Sequence, residues 1–317
     1  MNRRLLIFLA KLVVTGGLLI LVLRSLDIGA AWRQARELAA GGVFVALALV
    51  LLASILHSWR WLFVFRALGE RVGFGFSLVT VMIGVFFNQT LPSAIGGDAV
   101  RLWRVHRRGI RFGHALYAVL LDRGAALIGL LAIMVVMLPD LRAATPDAET
   151  RWSLTLVILA GVLGFFVFLA LDKMVTRWRR WRLVAFLADM SRVARRLFGT
   201  MALAVPVLAI SMLIHVCLIA AVFALFRAQH AEIAFWHCAT LMPLIILVSM
   251  VPISIAGWGV REGAMVVAFG WVGAAPETAL LTSLVYGAIG LVCGIPGGLL
   301  FLAGGRRRPR FEPADPA

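Results

Sequence analysis

The sequence predicts an all-α fold, a polytopic transmembrane helix bundle of about six full spans plus two re-entrant, broken-helix elements related by an inverted repeat. Three observations predict it. Hydrophobic residues fill 62% of the 317 positions and charged ones only 15%, with a mean hydropathy of +0.98. A soluble domain of that composition would present an apolar surface to water, whereas a bilayer accepts one. The apolar residues also form runs of spanning length. Finally, the net charge of +16, from 31 Lys+Arg against 15 Asp+Glu, falls in short clusters between those runs. In a soluble protein such an excess would suggest nucleic acid. Clustered at the ends of apolar runs, it reads as topology signal and contact with anionic lipid, so membrane lipids are the expected partners and nucleic acid is not.

A helix needs roughly 20 apolar residues to cross the hydrocarbon. Six stretches supply them: about 5–23, 43–62, 115–138, 153–171, 201–226 and 278–302. The first has the charge-then-apolar look of a signal peptide. Its apolar part is too long and no small-residue cleavage site follows, so it reads as a retained span. Two more apolar regions fit poorly. Residues 76–91 are short and run into NQTLPSAIGGDAVRLWR (88–104), and residues 235–273 are interrupted by Pro243, Pro252, Gly257 and Gly259.

Positive charge arbitrates. If 76–91 crossed fully, the loop holding Lys173, Arg177, Arg179, Arg180, Arg182, Arg192, Arg195 and Arg196 would lie opposite Arg3 and Arg4, against the positive-inside rule. If 76–97 instead dips in and returns, the N-terminus, 57–75, 98–111, 173–196 and the basic end of the chain share the inner side. The outer loops then hold eight acids, Asp27, Glu37, Asp140, Asp147, Glu149, Glu232, Glu262 and Glu277. The expected location is a bacterial inner membrane with both termini cytoplasmic. Residues 1–305 form one membrane domain, and 306–317 a tail that is first basic and then acidic. Residues 177–198 interleave Arg with Trp178, Trp181, Phe186, Leu187 and Phe198. They fit an amphipathic helix on the inner leaflet or a charged loop equally well.

The two poorly fitting regions resemble each other. Pro92, Gly97 and Arg101 share their spacing with Pro252, Gly257 and Arg261, 160 positions on, within halves of about 43–138 and 201–302. Three spans separate the copies, so the second is inverted relative to the first. Paired, inverted, Gly/Pro-interrupted segments point to a transporter with its site at the repeat interface. Broken backbone in hydrocarbon leaves polar groups unsatisfied, so it persists only inside protein or beside a watery cavity. The helix opened after each Gly directs its N-terminus, with partial positive charge, into that space. Arg101 and Arg261 stand one turn further in, and Arg offers paired hydrogen bonds to a phosphate head group.

The candidate substrate-binding residues are therefore Asn88, Pro92, Gly96, Gly97, Asp98, Arg101, Asp122, Arg123, Pro252, Ser254, Gly257, Gly259, Arg261 and Glu262. Each has a plainer reading. Arg101 is one of several inner-side charges, Arg261 and Glu262 can pair with each other, and Asp98 can cap a helix. Asn88 and Ser254 can serve helix ends, and Asp122 and Arg123 can reach toward the interface. The six His show no metal spacing, and Cys217, Cys238 and Cys293 read as small buried apolar residues. Most Trp fall near span ends, as in an aromatic belt. No Walker loop, nucleophile elbow, dinucleotide fingerprint or zinc motif occurs, so neither a catalytic residue nor a cofactor or metal is expected.

NQTLPSAIGGDAVRLWRV and VPISIAGWGVREGAMVVAF carry a resemblance to the lysylphosphatidylglycerol synthase transmembrane domain family, the flippase-like integral membrane proteins. The family's first stretch falls on Pro92, Gly96, Gly97, Asp98 and Arg101. The second falls on Pro252, Ser254, Gly257, Gly259, Arg261, Glu262 and Gly263, and LLDRG at 120–124 is similar to a polar patch in the following span. The resemblance covers about 5–303 and implies movement of a lipid, often an aminoacylated phospholipid or an isoprenoid- or hopanoid-type lipid, between leaflets. Some members add a cytoplasmic aminoacyl transferase domain, which is not expected here. The expectation is a lipid translocator with no catalytic activity of its own, acting on a lipid with an anionic or aminoacylated head group. The alternatives are a membrane enzyme acting on lipid-linked substrates, and a non-transporting partner of a separate lipid-modifying enzyme.

Overall fold

A computed structural model describes residues 36–91, 96–175, 180–251 and 257–304. The expected first span, 5–23, and the chain end, 306–317, lie outside the described residues. Those described form eleven helices and no strand. In order they are α1 (Ala40–Ala67), α2 (Phe74–Thr90), α3 (Gly96–Arg107), α4 (Phe112–Val136), α5 (Leu138–Ala144), α6 (Ala148–Met174), α7 (Arg182–Gly199), α8 (Met201–Ala228), α9 (Phe235–Ser249), α10 (Val260–Gly270) and α11 (Pro276–Gly304).

Five of the six expected spans appear as long apolar helices: α1, α4, α6, α8 and α11. Their bounds shift from the sequence estimates by a few residues at one or both ends, as where Arg66 continues α1 past its apolar run. Helix α6 is peripheral and leaves Trp152, Leu156, Leu159, Leu163 and Phe166 exposed, as suits a face turned to lipid. Asp147 begins α6 by accepting the Thr150 N–H at 2.7 Å, a bond that holds its carboxyl below the usual range.

The two poorly fitting regions are both pairs of short helices that pack on each other, α2 with α3 and α9 with α10. Helix α2 ends in extended backbone at Leu91, whose N–H still reaches Phe87 O at 3.0 Å. The seam of the first pair is tight. A Cβ on Gly97 would overlap Gly84 O and the Asn88 side chain, and a Cβ on Gly84 would run into the Arg101 stem. Gly97 N–H is satisfied by Asn88 Oδ1 at 3.0 Å. In the second pair, Gly257 and Gly259 hold φ of +80° and +85°, a region costly for residues with a Cβ. The helix pattern also recurs. Moved on by the 160-residue offset of the motifs, the bounds of α1 fall within one residue of Met201–Ala228, and those of α2 within one residue of Phe235–Ser249.

Helices α1 and α8 pack along their length, and α11 lies against α2. That second contact is made of glycine: Gly290, Gly294, Gly297 and Gly298 meet Gln89, Phe86 and Met82 so closely that a Cβ on Gly297 would overlap Met82 O. Residues 177–198, left open between helix and loop, contain α7 from Arg182 onward. It buries Ala188, Ser191, Ala194 and Leu197 and is fixed to α6 by Arg195, whose Nη1 and Nη2 donate to Asp172 at 2.8 and 2.5 Å.

Candidate functional site

Helices α1 and α4 bring together charges that no sequence pattern connects. Asp122, on α4, is 1% exposed. Its Oδ1 accepts from Arg60 Nε at 3.0 Å and Arg60 Nη2 at 2.9 Å. Its Oδ2 lies 2.6 Å from His57 Nε2 and accepts from Arg101 Nη2 at 2.8 Å. A buried carboxylate is tolerable only when so partnered. Arg60 continues to Ser211 Oγ on α8 at 3.2 Å. Arg101 also reaches Asp98 Oδ1 at 3.4 Å and stacks on Trp61, its guanidinium carbon 4.1 Å from the ring centre. Trp61 is itself held by its indole N–H on Ala118 O at 3.1 Å. The other Asp98 oxygen pairs with Arg123. The network thus ties α1, α3, α4 and α8 together.

A second cluster forms around α10. Glu262 is fully buried. One carboxylate oxygen accepts from Gly259 N–H at 2.6 Å, closing the N-terminus of α10. The other accepts from Arg261 Nη2 at 2.6 Å and from Ser283 Oγ at 3.1 Å. Arg261 Nε reaches the same Ser283 at 3.1 Å, and the guanidinium lies over Trp258 and Tyr286 at 4.9 and 5.7 Å. Both clusters share a plan: Arg101 grips the helix that follows it at Asp122, and Arg261 grips the next helix at Ser283.

Both clusters line one cavity of about 340 Å³. His57, Arg60, Asn88, Gln89, Asp98, Arg101, Asp122, Arg123, Arg261 and Tyr286 supply its polar wall, and Val50, Ala53, Val85, Ile214, Leu218 and Met250 its apolar wall. Of the residues expected from sequence, Asn88, Asp98, Arg101, Asp122, Arg123 and Arg261 meet there. Glu262 stands behind Arg261. Gly96 and Gly97 shape the α2–α3 seam instead, against Leu91 and Asn88, and Gly257 and Gly259 make the turn into α10. Pro92, Pro252 and Ser254 lie outside the described residues.

Sequence reasoning missed His57, Arg60, Trp61, Gln89 and Tyr286. By sequence Arg60 reads as an inner-side charge, and His57 as one of six His without metal spacing. The available signal was His57 and Arg60 within the apolar run of α1, since charge inside a span asks for a partner. Among the described residues no group of His, Cys, Asp and Glu could hold a metal ion.

The fold and this cavity define a polytopic helical membrane protein with a charged cleft between its helices. The chain belongs to the family described as the lysylphosphatidylglycerol synthase TM region, whose model matches residues 8–297. It is also similar to a UPF0104 membrane protein of Methanothermobacter thermautotrophicus, 24% identical over 277 residues, covering 77% of this chain and 80% of that one.

Proposed function

We propose that the protein moves a lipid with an anionic or aminoacylated polar head group between the leaflets of a bacterial inner membrane. One observation carries the proposal: Arg101, from the first broken hairpin, and Arg261, from the second, line the same cavity. In this reading the hairpins are re-entrant elements of an inverted repeat, entering from opposite leaflets. The head group passes through the polar cavity while its tails remain in the bilayer. Membership in a family named for a lipid-synthase membrane region supports a lipid as the cargo. Backbone that breaks inside a span is tolerated where it lines a polar cavity, and residues on either side of both interrupted stretches, Asn88 with Arg101 and Met250 with Arg261, line this one. The reading includes cytoplasmic termini and no chemical change to the lipid.

Reconstitution tests it. Purified protein in vesicles carrying fluorescent analogues of several phospholipids should expose inner-leaflet label to an impermeant quencher faster than protein-free vesicles do. Rates equal to the protein-free rate for every lipid would overturn the reading, and a chemically altered lipid would favour an enzyme.

A further inference from the structure

We propose that the cavity selects an acidic phosphate head group and rejects a cationic, aminoacylated one. The inference rests on the lipid-moving reading and decides between its two head-group classes.

The carboxylates come first. A carboxylate oxygen is the strongest receiver this wall could offer the ammonium of a cationic head group. Asp122, Asp98 and Glu262 carry the carboxylates of the two clusters, and every one of their six oxygens already faces a donor. Arg60 takes Oδ1 of Asp122, and His57 and Arg101 take Oδ2. Arg101 and Arg123 take the two oxygens of Asp98. Arg261 with Ser283, and Gly259 N–H, take those of Glu262. An entering ammonium would have to displace an arginine and leave that guanidinium unpaired in a buried site, a strongly unfavourable exchange.

The donors lie the other way. The wall holds Arg60, Arg101, Arg123 and Arg261 against Asp98 and Asp122. Arg101 is 3% exposed. Its two terminal nitrogens are engaged, while its Nε is buried with no hydrogen-bond partner. A buried guanidinium N–H without an acceptor is costly, and a small rotation of Arg101 toward the cavity would let a phosphate oxygen supply one. Gln89 and Asn88 add amide groups to the same wall. The wall's arginines outnumber its carboxylates and those carboxylates are already paired, which matches a phosphate monoanion.

Competition binding with the full-length protein in mixed micelles tests this. A fluorescent phosphatidylglycerol is displaced by phosphatidylglycerol, by lysyl-phosphatidylglycerol or by soluble glycerol phosphate. Phosphatidylglycerol should compete at concentrations at least about tenfold lower than the lysyl form, and better than glycerol phosphate. Gln89→Glu adds a wall carboxylate without disturbing either cluster. It should narrow the preference by about tenfold, the size of one charge contact across a partly solvated site. Equal or tighter binding of the lysyl form, or no change in Gln89→Glu, would overturn the proposal. Glycerol phosphate competing as well as the lipid would assign the cavity to a soluble anion and overturn it too. The two readings fail separately: preferential binding without translocation sinks the transport reading alone, and translocation without preference sinks this one alone.

Discussion

Arg101 Nη2 sits 2.8 Å from Asp122 Oδ2, and that contact joins the broken hairpin to the long helix that follows it. Asp122 serves two arginines and His57 at once, so its loss strands more than one charge. Asp122→Ala should destabilise the protein by about 3–5 kcal/mol, the usual consequence of removing one partner from a buried ionic cluster. Asp122→Asn, which keeps the shape and some hydrogen bonds, should cost less. Thermal unfolding in detergent, followed by aggregation onset, gives the comparison. An Asp122→Ala protein as stable as wild type would mean the cluster is not formed.

The α2–α3 seam makes a prediction of space. Gly97→Ala has no room between Gly84 O and Asn88, so it should cost about 1–3 kcal/mol by forcing the hairpin apart. Gly164→Ala on α6 meets nothing within 4 Å and serves as the control. Equal melting temperatures for the two variants would contradict the packing described.

Helix α7 is held by Arg195 on Asp172, with Ser191 Oγ donating to Phe168 O at 2.7 Å in the same contact. Arg195→Ala should loosen α7 from α6, and limited trypsin digestion should then cut faster at Arg192 and Arg196. An unchanged digestion pattern would show that the apolar face of α7 suffices to hold it.

Acid acts at the start of α6. The Asp147 carboxyl is held below its usual value of 3.8 by the Thr150 N–H. A depressed carboxyl contributes stability above the unfolded value and loses it as pH falls through the folded one. Protection of the Thr150 amide in hydrogen exchange should therefore hold at neutral pH and fall only below about pH 4. Asp147→Ala should lose protection at every pH, and Asp147→Asn should keep it without the acid step.

The spans and the paired motifs were legible in the sequence because they are properties of one stretch at a time. Hydropathy marks α1, α4, α6, α8 and α11, and the shared spacing of Pro92, Gly97 and Arg101 with Pro252, Gly257 and Arg261 marks the two breaks. The site itself was half legible. Asp122 stood out as a charge inside an apolar run, whereas its partners His57 and Arg60 come from a helix more than sixty residues earlier. No periodicity connects residues across two spans. Whether a side chain on α1 faces α4 or lipid depends on helix rotation, which packing decides. Trp61 looked like a belt residue because its type and place near a span end fit one, yet it is fully buried beneath Arg101. The glycines of α11 also carried a signal, a run of small residues suited to close helix packing. Inside an otherwise ordinary span, that run does not say which helix it meets.

The central claim is that the two hairpins serve one path, and head-group transfer in vesicles tests it most directly. Rates should be measured for wild type, Arg101→Gln, Arg261→Gln and the double variant, each first shown to keep its helical content and melting behaviour. Each single variant should slow transfer of phosphatidylglycerol by about tenfold or more, the scale of losing one guanidinium–phosphate contact. The double variant should fall to the protein-free rate. Folded single variants that both transfer lipid at the wild-type rate would contradict the account.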